Sequence, residues 1–214
     1  MRLFETLGID VVFDVGAGSG QYASKLRASG YRGRIVSFEP MASASAAART
    51  AAAGDPAWTV EAFGLGAEDR EATLNIAGNS VSSSLLAMLP SHEETAPGSA
   101  NVGVESVRIR RFDHLPNEMR SAGKHPCFKV DTQGYELAVL RGTGDQLARM
   151  ELLQLELSLV PLYTDGPLYD EVMRFVDEAG FKLAGIVPGF SDHESGQMLQ
   201  MDGFFIRHDR LPRR

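Results

Sequence analysis

Three glycines and two acidic residues near the N-terminus have a spacing that suits nucleotide chemistry. The stretch FDVGAGSGQYASKL places Gly16, Gly18 and Gly20 after Asp14, at the end of an apolar run. Glycine permits positive φ angles and close backbone approach, and the helix that follows offers N–H groups to an anionic ligand. Glu39 ends the next apolar run, where an acid of this kind accepts hydrogen bonds from ribose hydroxyls. The glycine spacing differs from the G-x-G-x-x-G of nicotinamide and flavin sites, and no Walker lysine follows.

Short apolar runs alternate with helix-like spans and must position these residues. The predicted strands cover residues 11–15, 34–39, 58–63, 127–131, 151–159, 181–187 and 203–207. The predicted helices cover residues 21–29, 42–53, 135–142 and 168–180, with a glycine at or just after each end. This alternation favours a doubly wound, mostly parallel α/β sheet in a single domain of residues 1–214. Ligands of such sheets bind beyond the carboxyl ends of the strands, where the glycine turn lies.

Residues 72–112 break the alternation. A Ser-, Gly-, Asn- and Pro-rich loop lies between the segments ATLNI and VESVRIRRF, which we interpret as short edge strands. Loops longer than about 12–15 residues are typically either functional or disordered. The segment is therefore predicted to be an insertion that is either a lid over a ligand or a disordered loop.

Composition limits the possible partners. The chain has 214 residues, a formal net charge of −7 and no basic cluster longer than RIRR at 108–111, which argues against a nucleic-acid partner. No apolar stretch approaches the length of a membrane span, and the N-terminus lacks a signal-peptide core, so we expect a cytoplasmic protein. Cys127 is the only cysteine, which excludes an internal disulfide and predicts a buried thiol. The sequence does not determine the oligomeric state; a homodimer is the commonest arrangement among soluble oligomers.

Several motifs resemble those of a known family. DVGAGSGQYA together with SFEP resembles the first two motifs of class I S-adenosylmethionine-dependent methyltransferases. The later stretches GLGAEDREATLNI, GNSVSSSLL, VRIRRFDHL, FKVDTQGYELAVLRG and LLQLELSLVPLY resemble, in that order, the blocks of FkbM-type methyltransferases. The resemblance covers residues 11–206. It implies a Rossmann-like domain whose mostly parallel, seven-stranded sheet has an antiparallel last strand.

The resemblance also implies a cofactor and a reaction. The cofactor is S-adenosylmethionine, and the reaction is methylation of a hydroxyl on a sugar or a polyketide-type product. The residues implied to bind the cofactor are Asp14, Gly16, Gly18, Gly20, Glu39, Pro40, Gly64 and Asp131. Two departures stand out: the usual DVGAN is DVGAG here, and the frequent KIDVEG is KVDTQG, with Gln133 in place of glutamate. A mechanism that needs a carboxylate at position 133 does not carry over.

Two carboxylates are candidate catalytic groups. Methyl transfer to a hydroxyl requires alignment of the reacting atoms and a general base or a metal to remove the proton. Asp131 ends a predicted strand and is either a base, a metal ligand, a contact of the methionine amine or a helix cap. Glu156 is an isolated acid in an apolar strand and is either paired or at an outward-facing strand end. Together they suffice to hold one Mg²⁺ with waters, so a magnesium requirement is a further hypothesis.

Histidine and tyrosine side chains extend the candidate site. His193 lies in the loop between the last two predicted strands and is predicted to be a catalytic base, with an exposed loop residue as the alternative. On the first interpretation, replacing it by alanine lowers turnover about a hundredfold. His92 falls in the predicted lid and faces either the ligand or solvent. Tyr163 and Tyr169 either line an acceptor pocket or pack their loop.

Several functions fit these features. The leading one is O-methylation of a sugar or glycoside, a small-molecule or oligosaccharide acceptor. A polyketide-type hydroxyl is the alternative acceptor. A dinucleotide-dependent oxidoreductase is a different class, disfavoured because the third glycine comes one residue early and no Tyr-x-x-x-Lys pair occurs. A protein that binds the cofactor without catalysis is the fourth interpretation.

Overall fold

The computed structural model describes residues 1–210. Its α-helices are α1 (Arg2–Leu7), α2 (Gln21–Ala28), α3 (Ala42–Ala52), α4 (Pro90–Thr95), α5 (Asn117–Arg120), α6 (Glu136–Arg141) and α7 (Tyr169–Glu178). Its strands are β1 (Val11–Val15), β2 (Arg34–Phe38), β3 (Trp58–Glu61), β4 (Gly64–Leu65), β5 (Arg70–Ala77), β6 (Asn101–Arg110), β7 (Pro126–Val130), β8 (Leu152–Ser158), β9 (Phe181–Pro188) and β10 (Gln200–Arg207). Short 3-10 helices cover Phe112–His114, Gly144–Arg149 and His208–Arg210.

The main sheet has seven strands in the order β3-β2-β1-β7-β8-β10-β9. β2 and β7 flank β1 in parallel, and β3 and β8 extend the parallel part on either side. β10 lies between β8 and β9 and is antiparallel to both. The predicted mostly parallel, seven-stranded sheet with an antiparallel last strand is confirmed. The strand order reverses between β1 and β7, so a ligand crevice is expected at their carboxyl ends.

The central strands are apolar on both faces because both faces are packed. Every residue of β1 and β7 is buried. Phe13 and Phe128 share one face with Phe112, and their ring centroids lie 4.9 to 6.2 Å apart. On the other face, Val12 and Cys127 pack in a second cluster. The thiol of Cys127 is buried as predicted, and burial raises its pKa.

The predicted elements all occur, with ends shifted by no more than three residues. The helices α1, α4 and α5 were not predicted, because four to six residues are too few to display a helical period. Within residues 1–210, no helix is both long and apolar enough to cross a membrane. That residues 1–214 form one domain stays a prediction.

The strands β5 and β6 of the inserted segment form a second sheet together with β4, which precedes the segment, in the order β4-β6-β5. β5 and β6 pair antiparallel, and β4 joins β6 in parallel. The segment 72–112 was predicted to hold short edge strands, but β5 and β6 have eight and ten residues and build a sheet of their own. The loop of residues 78–100 between them, here called the inserted loop, contains α4. Its movement as a lid stays a prediction.

Candidate active site

A cavity of about 770 Å³ opens at the carboxyl ends of β1, β2, β7 and β8. This is the crevice beside the reversal of strand order, where open α/β sheets bind their ligands. Its volume is within the range of roughly 300–1,000 Å³ that is usual for small-molecule sites. The walls are the glycine turn after β1, the ends of β7 and β8, and the inserted loop.

The glycine turn runs against the backbone that follows β7. Gly16, Gly18 and Gly20 have φ angles of 73°, 54° and 87°, all in the left-handed region. A Cβ atom on Gly16 would lie 1.8 Å from the carbonyl oxygen of Asp131, so a side chain cannot fit there. Gly16 and Gly18 line the cavity, whereas Gly20 packs against the ring of Trp58 instead.

The N–H groups of this turn are largely used within the protein. Those of Gly16 and Ala17 donate to the carbonyl oxygen of Phe38, at 3.1 and 3.2 Å. That of Gly18 donates to Oε2 of Glu39 at 2.8 Å. These three N–H groups are therefore not available to an anion, and Gly16 serves close backbone approach. That the N–H groups of the following helix bind an anionic group stays a prediction.

Glu39 follows β2 and joins the turn to the cavity wall. Its two carboxylate oxygens accept hydrogen bonds from the N–H groups of Gly18 and Met41, at 2.8 and 2.9 Å. Burial raises the pKa of Glu39, while these two bonds and the charge of Lys129 oppose the rise. Each oxygen keeps a lone pair for a ligand hydroxyl. Pro40 and Gly64, also predicted to bind the cofactor, line the cavity beside Glu39.

A row of polar side chains crosses the middle of the sheet. Strand register places Ser37, Asp14, Lys129 and Gln154 side by side on β2, β1, β7 and β8. Asp14 is fully buried, accepts a hydrogen bond from Ser37 at 3.1 Å and lies 3.1 Å from the Lys129 ammonium. It does not line the cavity. Its position gives no support to the predicted contact with the cofactor, and the contact that it makes is with Lys129.

Lys129 connects this row to the glycine turn. Its ammonium donates to the carbonyl oxygen of Gly16 at 3.0 Å and lies 3.6 Å from Oδ2 of Asp131. Burial alone would lower the pKa of Lys129, but the charges of Asp14 and Asp131 raise it above its usual value. Lys129 was not predicted from the sequence. The available signal was a single lysine inside an apolar strand, which requires a buried partner.

Asp131 and Glu156 meet at the ends of β7 and β8. The side-chain nitrogen of Gln133 donates to Oδ1 of Asp131 at 2.9 Å and to Oε2 of Glu156 at 2.7 Å. Gln200 donates to the same oxygen of Glu156 at 2.8 Å. Burial raises the pKa of Glu156 well above its usual value, and the nearby carboxylates Asp131, Glu136 and Asp202 raise it further. The structure thus brings together two of the three predicted catalytic residues.

The Gln133 amide occupies the point at which a cation would bridge the two carboxylates. Within residues 1–210, no group of three or more His, Cys, Asp or Glu side chains is arranged to hold a metal ion. The sequence suggested that Asp131 and Glu156 share one Mg²⁺ ion. The amide nitrogen of Gln133 already donates to both carboxylates and takes the position of that ion. The donor set does not fit a magnesium ion.

The turn after β7 is held by Glu136, not capped by Asp131. Oε1 of Glu136 accepts hydrogen bonds from the N–H groups of Thr132 and Gly134, at 2.8 and 3.2 Å. Burial raises the pKa of Glu136 to about 7. Gln133 adopts a left-handed φ of 55° within this turn. Asp131 is thereby free to face the cavity, partly exposed.

The structure does not bring His193 into the cavity. Its loop emerges at the expected edge, but the carboxylate of Asp192 accepts from the N–H groups of Glu194 and Ser195 and folds the tip into a tight turn. His193 is exposed at that tip and does not line the cavity, so its position gives no support to the predicted role as base. The same loop supplies Phe190 to the cavity wall.

The inserted loop is attached to the carboxyl edge of the main sheet. The hydroxyl of Ser84 donates to the carbonyl oxygen of Gln133 at 2.7 Å. The Leu89 N–H donates to the carbonyl oxygen of Leu162 at 3.0 Å. Tyr163 is buried and packs under the loop, whereas Tyr169 is exposed. Through these contacts the inserted loop closes one side of the cavity.

Comparisons with known proteins agree with this fold. A complex of Sp1610 from Streptococcus pneumoniae, a candidate tRNA (m1A22) methyltransferase, with S-adenosyl-L-methionine has a TM-score of 0.53 at 10% identity, covering 96% of this chain and 72% of that chain. A pericyclic reaction enzyme has a TM-score of 0.52 at 10% identity, covering 97% and 47%. WbdD has a TM-score of 0.50 at 15% identity, covering 97% and 37%. At these identities the likeness concerns the fold alone. No curated protein matches the chain.

A family model gives the more specific result. The model of the methyltransferase FkbM domain matches residues 14–183, which begin in β1 and end in β9. The matched part contains the glycine turn, the inserted segment and the two carboxylates that face the cavity. Because most of its length is matched, the chain belongs to the FkbM family of methyltransferases.

Proposed function

We propose that this protein transfers a methyl group from S-adenosylmethionine to a hydroxyl of a sugar or glycoside. The observation that carries the proposal is that one cavity holds both the Gly18–Glu39 contact and the pair of Asp131 and Glu156. The first arrangement suits the nucleoside of the cofactor. In the second, Asp131 suits the methionine end of the cofactor and Glu156 suits a hydroxyl-bearing acceptor. The two adjoin where Gly16 packs on the backbone of Asp131.

The residues present fit S-adenosylmethionine. Glu39 has free lone pairs for the ribose hydroxyls, and the apolar wall of Pro40, Gly64 and Leu65 suits the adenine ring. Asp131, partly exposed beside the glycine turn, suits the methionine ammonium. When bound, the cofactor supplies a methyl group on a sulfonium; transfer forms an oxygen–carbon bond, leaves the carbon–sulfur electron pair on sulfur and releases the hydroxyl proton.

The acceptor side of the cavity is rich in hydrogen-bonding groups. Gln133, Gln154 and Gln200 line it together with Glu156 and Asp202. Amides and carboxyl groups at this density suit an acceptor with several hydroxyls, because each hydroxyl both donates and accepts. Burial raises the pKa of Glu156, which favours its protonated form, and in that form it would donate a hydrogen bond to an acceptor oxygen.

Other acceptors are disfavoured by the same wall. A polyketide-type hydroxyl, the alternative, would bring apolar surface against these polar side chains and separate them from water. RNA would bring phosphates to a cavity lined by Glu39, Asp131 and Asp202. The family match argues against an oxidoreductase. The predicted cytoplasmic location, the homodimer and the lack of a nucleic-acid partner remain part of this proposal.

The test is a screen of methyl acceptors with cofactor labelled in the methyl group. The panel contains nucleotide sugars, free glycosides, polyketide lactones and transfer RNA, each assayed with and without a chelator. We expect a mass gain of one methyl in a carbohydrate and in no RNA. Methylation of RNA or lactones alone would overturn the proposed acceptor class.

Cofactor binding is tested separately by calorimetry with S-adenosylhomocysteine. Glu39→Ala is expected to weaken binding about 10- to 100-fold, the value of one or two hydrogen bonds to a charged group. The matched control is Glu61→Ala, because Glu61 ends the neighbouring strand β3 and does not line the cavity. Equal affinities in the two variants would remove Glu39 from the cofactor site.

A further inference from the structure

Asp202 lies on β10 and lines the same cavity as the carboxylate pair. Strand register sets it directly opposite Glu156 of β8. Residues that face each other across two antiparallel strands point to the same side of the sheet, with Cβ atoms about 4.5–5.5 Å apart. Glu156 and Asp202 are therefore neighbours on the cavity wall.

Each of these two carboxyl groups keeps one oxygen for a ligand. Gln133 and Gln200 both donate to Oε2 of Glu156, at 2.7 and 2.8 Å. Gln154 donates to Oδ1 of Asp202 at 3.4 Å. No group of residues 1–210 donates to Oε1 of Glu156 or to Oδ2 of Asp202, and neither oxygen is sealed from solvent. A molecule in the cavity therefore has access to both oxygens.

Strand order determines how these groups follow one another along the carboxyl edge of the sheet. The order β1-β7-β8-β10 places the glycine turn first, then Asp131, then Glu156 and finally Asp202. The backbone of Gly16 packs on the carbonyl group of Asp131, and Gln133 joins Asp131 to Glu156. A hydroxyl bound at Glu156 would therefore lie nearer to the methyl group of the cofactor than a hydroxyl bound at Asp202.

Hydrogen bonds from α2 orient the groups around Asp202. The hydroxyl of Tyr22 donates to Oε1 of Gln154 at 2.6 Å, so the amide nitrogen of Gln154 is turned to Asp202. Lys25 and Lys129 also line the cavity, and their positive charges disfavour an ammonium group at Asp202. A neutral hydroxyl does not meet this repulsion and donates the hydrogen bond that a carboxylate accepts.

We propose that Glu156 and Asp202 bind two hydroxyls on neighbouring carbons of the acceptor, the first of which receives the methyl group. The pair is here called the diol site. The inference rests on the proposed function and names the feature of the acceptor that the cavity selects. Glu156 contacts the hydroxyl that is methylated, and Asp202 accepts a hydrogen bond from the second hydroxyl, which stays free. Asp202 is thus an acceptor-binding residue that determines which oxygen faces the cofactor.

The first test uses the wild type and the carbohydrate acceptor found in the screen. The position of the new methyl group is determined by NMR of the product, and analogues that lack one hydroxyl next to that position are assayed. We expect one analogue to lose about 10- to 100-fold in kcat/KM, through KM, because one hydrogen bond to a charged group is lost. An acceptor without a neighbouring hydroxyl, or losses below threefold for every analogue, overturns the proposal.

The second test combines that analogue with Asp202→Ala and with the control Asp209→Ala. Asp209 follows β10, pairs with Arg207 and does not line the cavity. In Asp202→Ala the partner of the second hydroxyl is gone, so we expect the analogue and the full acceptor to differ by less than threefold in kcat/KM. Affinity for S-adenosylhomocysteine is expected to stay within twofold. Asp209→Ala should keep the wild-type difference, and an equally large difference in Asp202→Ala overturns the diol site.

The diol site and the proposed function fail in different ways. A wild type that methylates no carbohydrate ends the proposed function, and the diol site with it. A wild type that methylates a carbohydrate but is insensitive to the neighbouring hydroxyls ends the diol site alone. The wild-type comparison does not depend on the folding of a variant.

Discussion

Gln133→Glu tests whether the Gln133 amide holds two carboxylates together in the way that a bridging cation would. In the wild type, one nitrogen donates to Asp131 and Glu156 at 2.9 and 2.7 Å. Glutamate has nearly the same shape but offers no donor and adds a third carboxylate. At pH 7.5 the three groups must take up a proton or bind a cation, because like charges at this separation cannot all ionise.

The size of the effect follows from the two lost hydrogen bonds. The hydrogen bond to the Asp131 carboxylate contributes about 1.5–3 kcal/mol, and the bond to Glu156, whose raised pKa favours the neutral form, contributes about 0.5–1.5 kcal/mol. We therefore expect Gln133→Glu to lower the free energy of unfolding by roughly 3 kcal/mol in a chelator. A divalent ion at a hundred times its dissociation constant would return about 2.7 kcal/mol.

Urea denaturation in EDTA and in MgCl₂, at matched ionic strength, measures the loss of unfolding free energy and the part that Mg²⁺ restores. Calorimetry with MgCl₂ measures the binding of the ion directly. The control is Gln133→Met, which removes the same hydrogen bonds without adding a carboxylate and has the same left-handed backbone to satisfy. Magnesium is expected to stabilise the glutamate variant alone. Equal stabilisation of the wild type by Mg²⁺, or no difference between the two variants, would refute the reasoning.

Three other outcomes are expected. Gly16→Ala should destabilise the fold by more than Gly30→Ala. Gly30 has open space around it, so its replacement costs only the roughly 1–2 kcal/mol of a left-handed residue. Thermal melting compares the two variants, and equal losses of stability would contradict the close contact at Gly16. Because the pKa of Glu136 is raised to about 7 from 4.5, the folded state binds the proton more tightly, so stability falls as the pH rises between these values, by roughly 3 kcal/mol. Glu136→Gln should reduce the difference in unfolding free energy between pH 5 and pH 8, measured by urea denaturation. An unchanged difference would show that other groups cause the pH dependence. His193→Ala should leave turnover within twofold, and a hundredfold loss would restore it as a base.

Most of the fold could be predicted from the sequence, because the patterns that indicate its strands and helices are local. Apolar runs such as VVFDV and CFKV, separated by spans that end at glycine, predict parallel strands joined by helices. Gly16 and Glu39 were found for the same reason, since each directly follows a strand. The inserted sheet was less accessible, because the long pairing of β5 with β6 depends on contacts between segments more than twenty residues apart.

The row of polar side chains could not be predicted from the sequence, because it depends on the register in which the strands pair. Ser37, Asp14, Lys129 and Gln154 belong to four strands, and each looks like an isolated polar residue in an apolar run. A shift of one residue in any pairing would move that side chain to the opposite face. Sequence reasoning therefore assigned Asp14 to the cofactor, while the structure shows that it contacts Lys129.

The histidines illustrate the same limit at the candidate site. Topology correctly brought the loop of His193 to the carboxyl edge of the sheet, but the hydrogen bonds of Asp192 determine which part of the loop faces inward, and that part is Phe190. His92 was predicted to face either ligand or solvent, and it is buried beside the cavity because the inserted loop is attached at Leu162 and Tyr163. An edge of a sheet can be deduced from the order of its strands, whereas the direction of a side chain on a loop depends on the contacts that fix the loop.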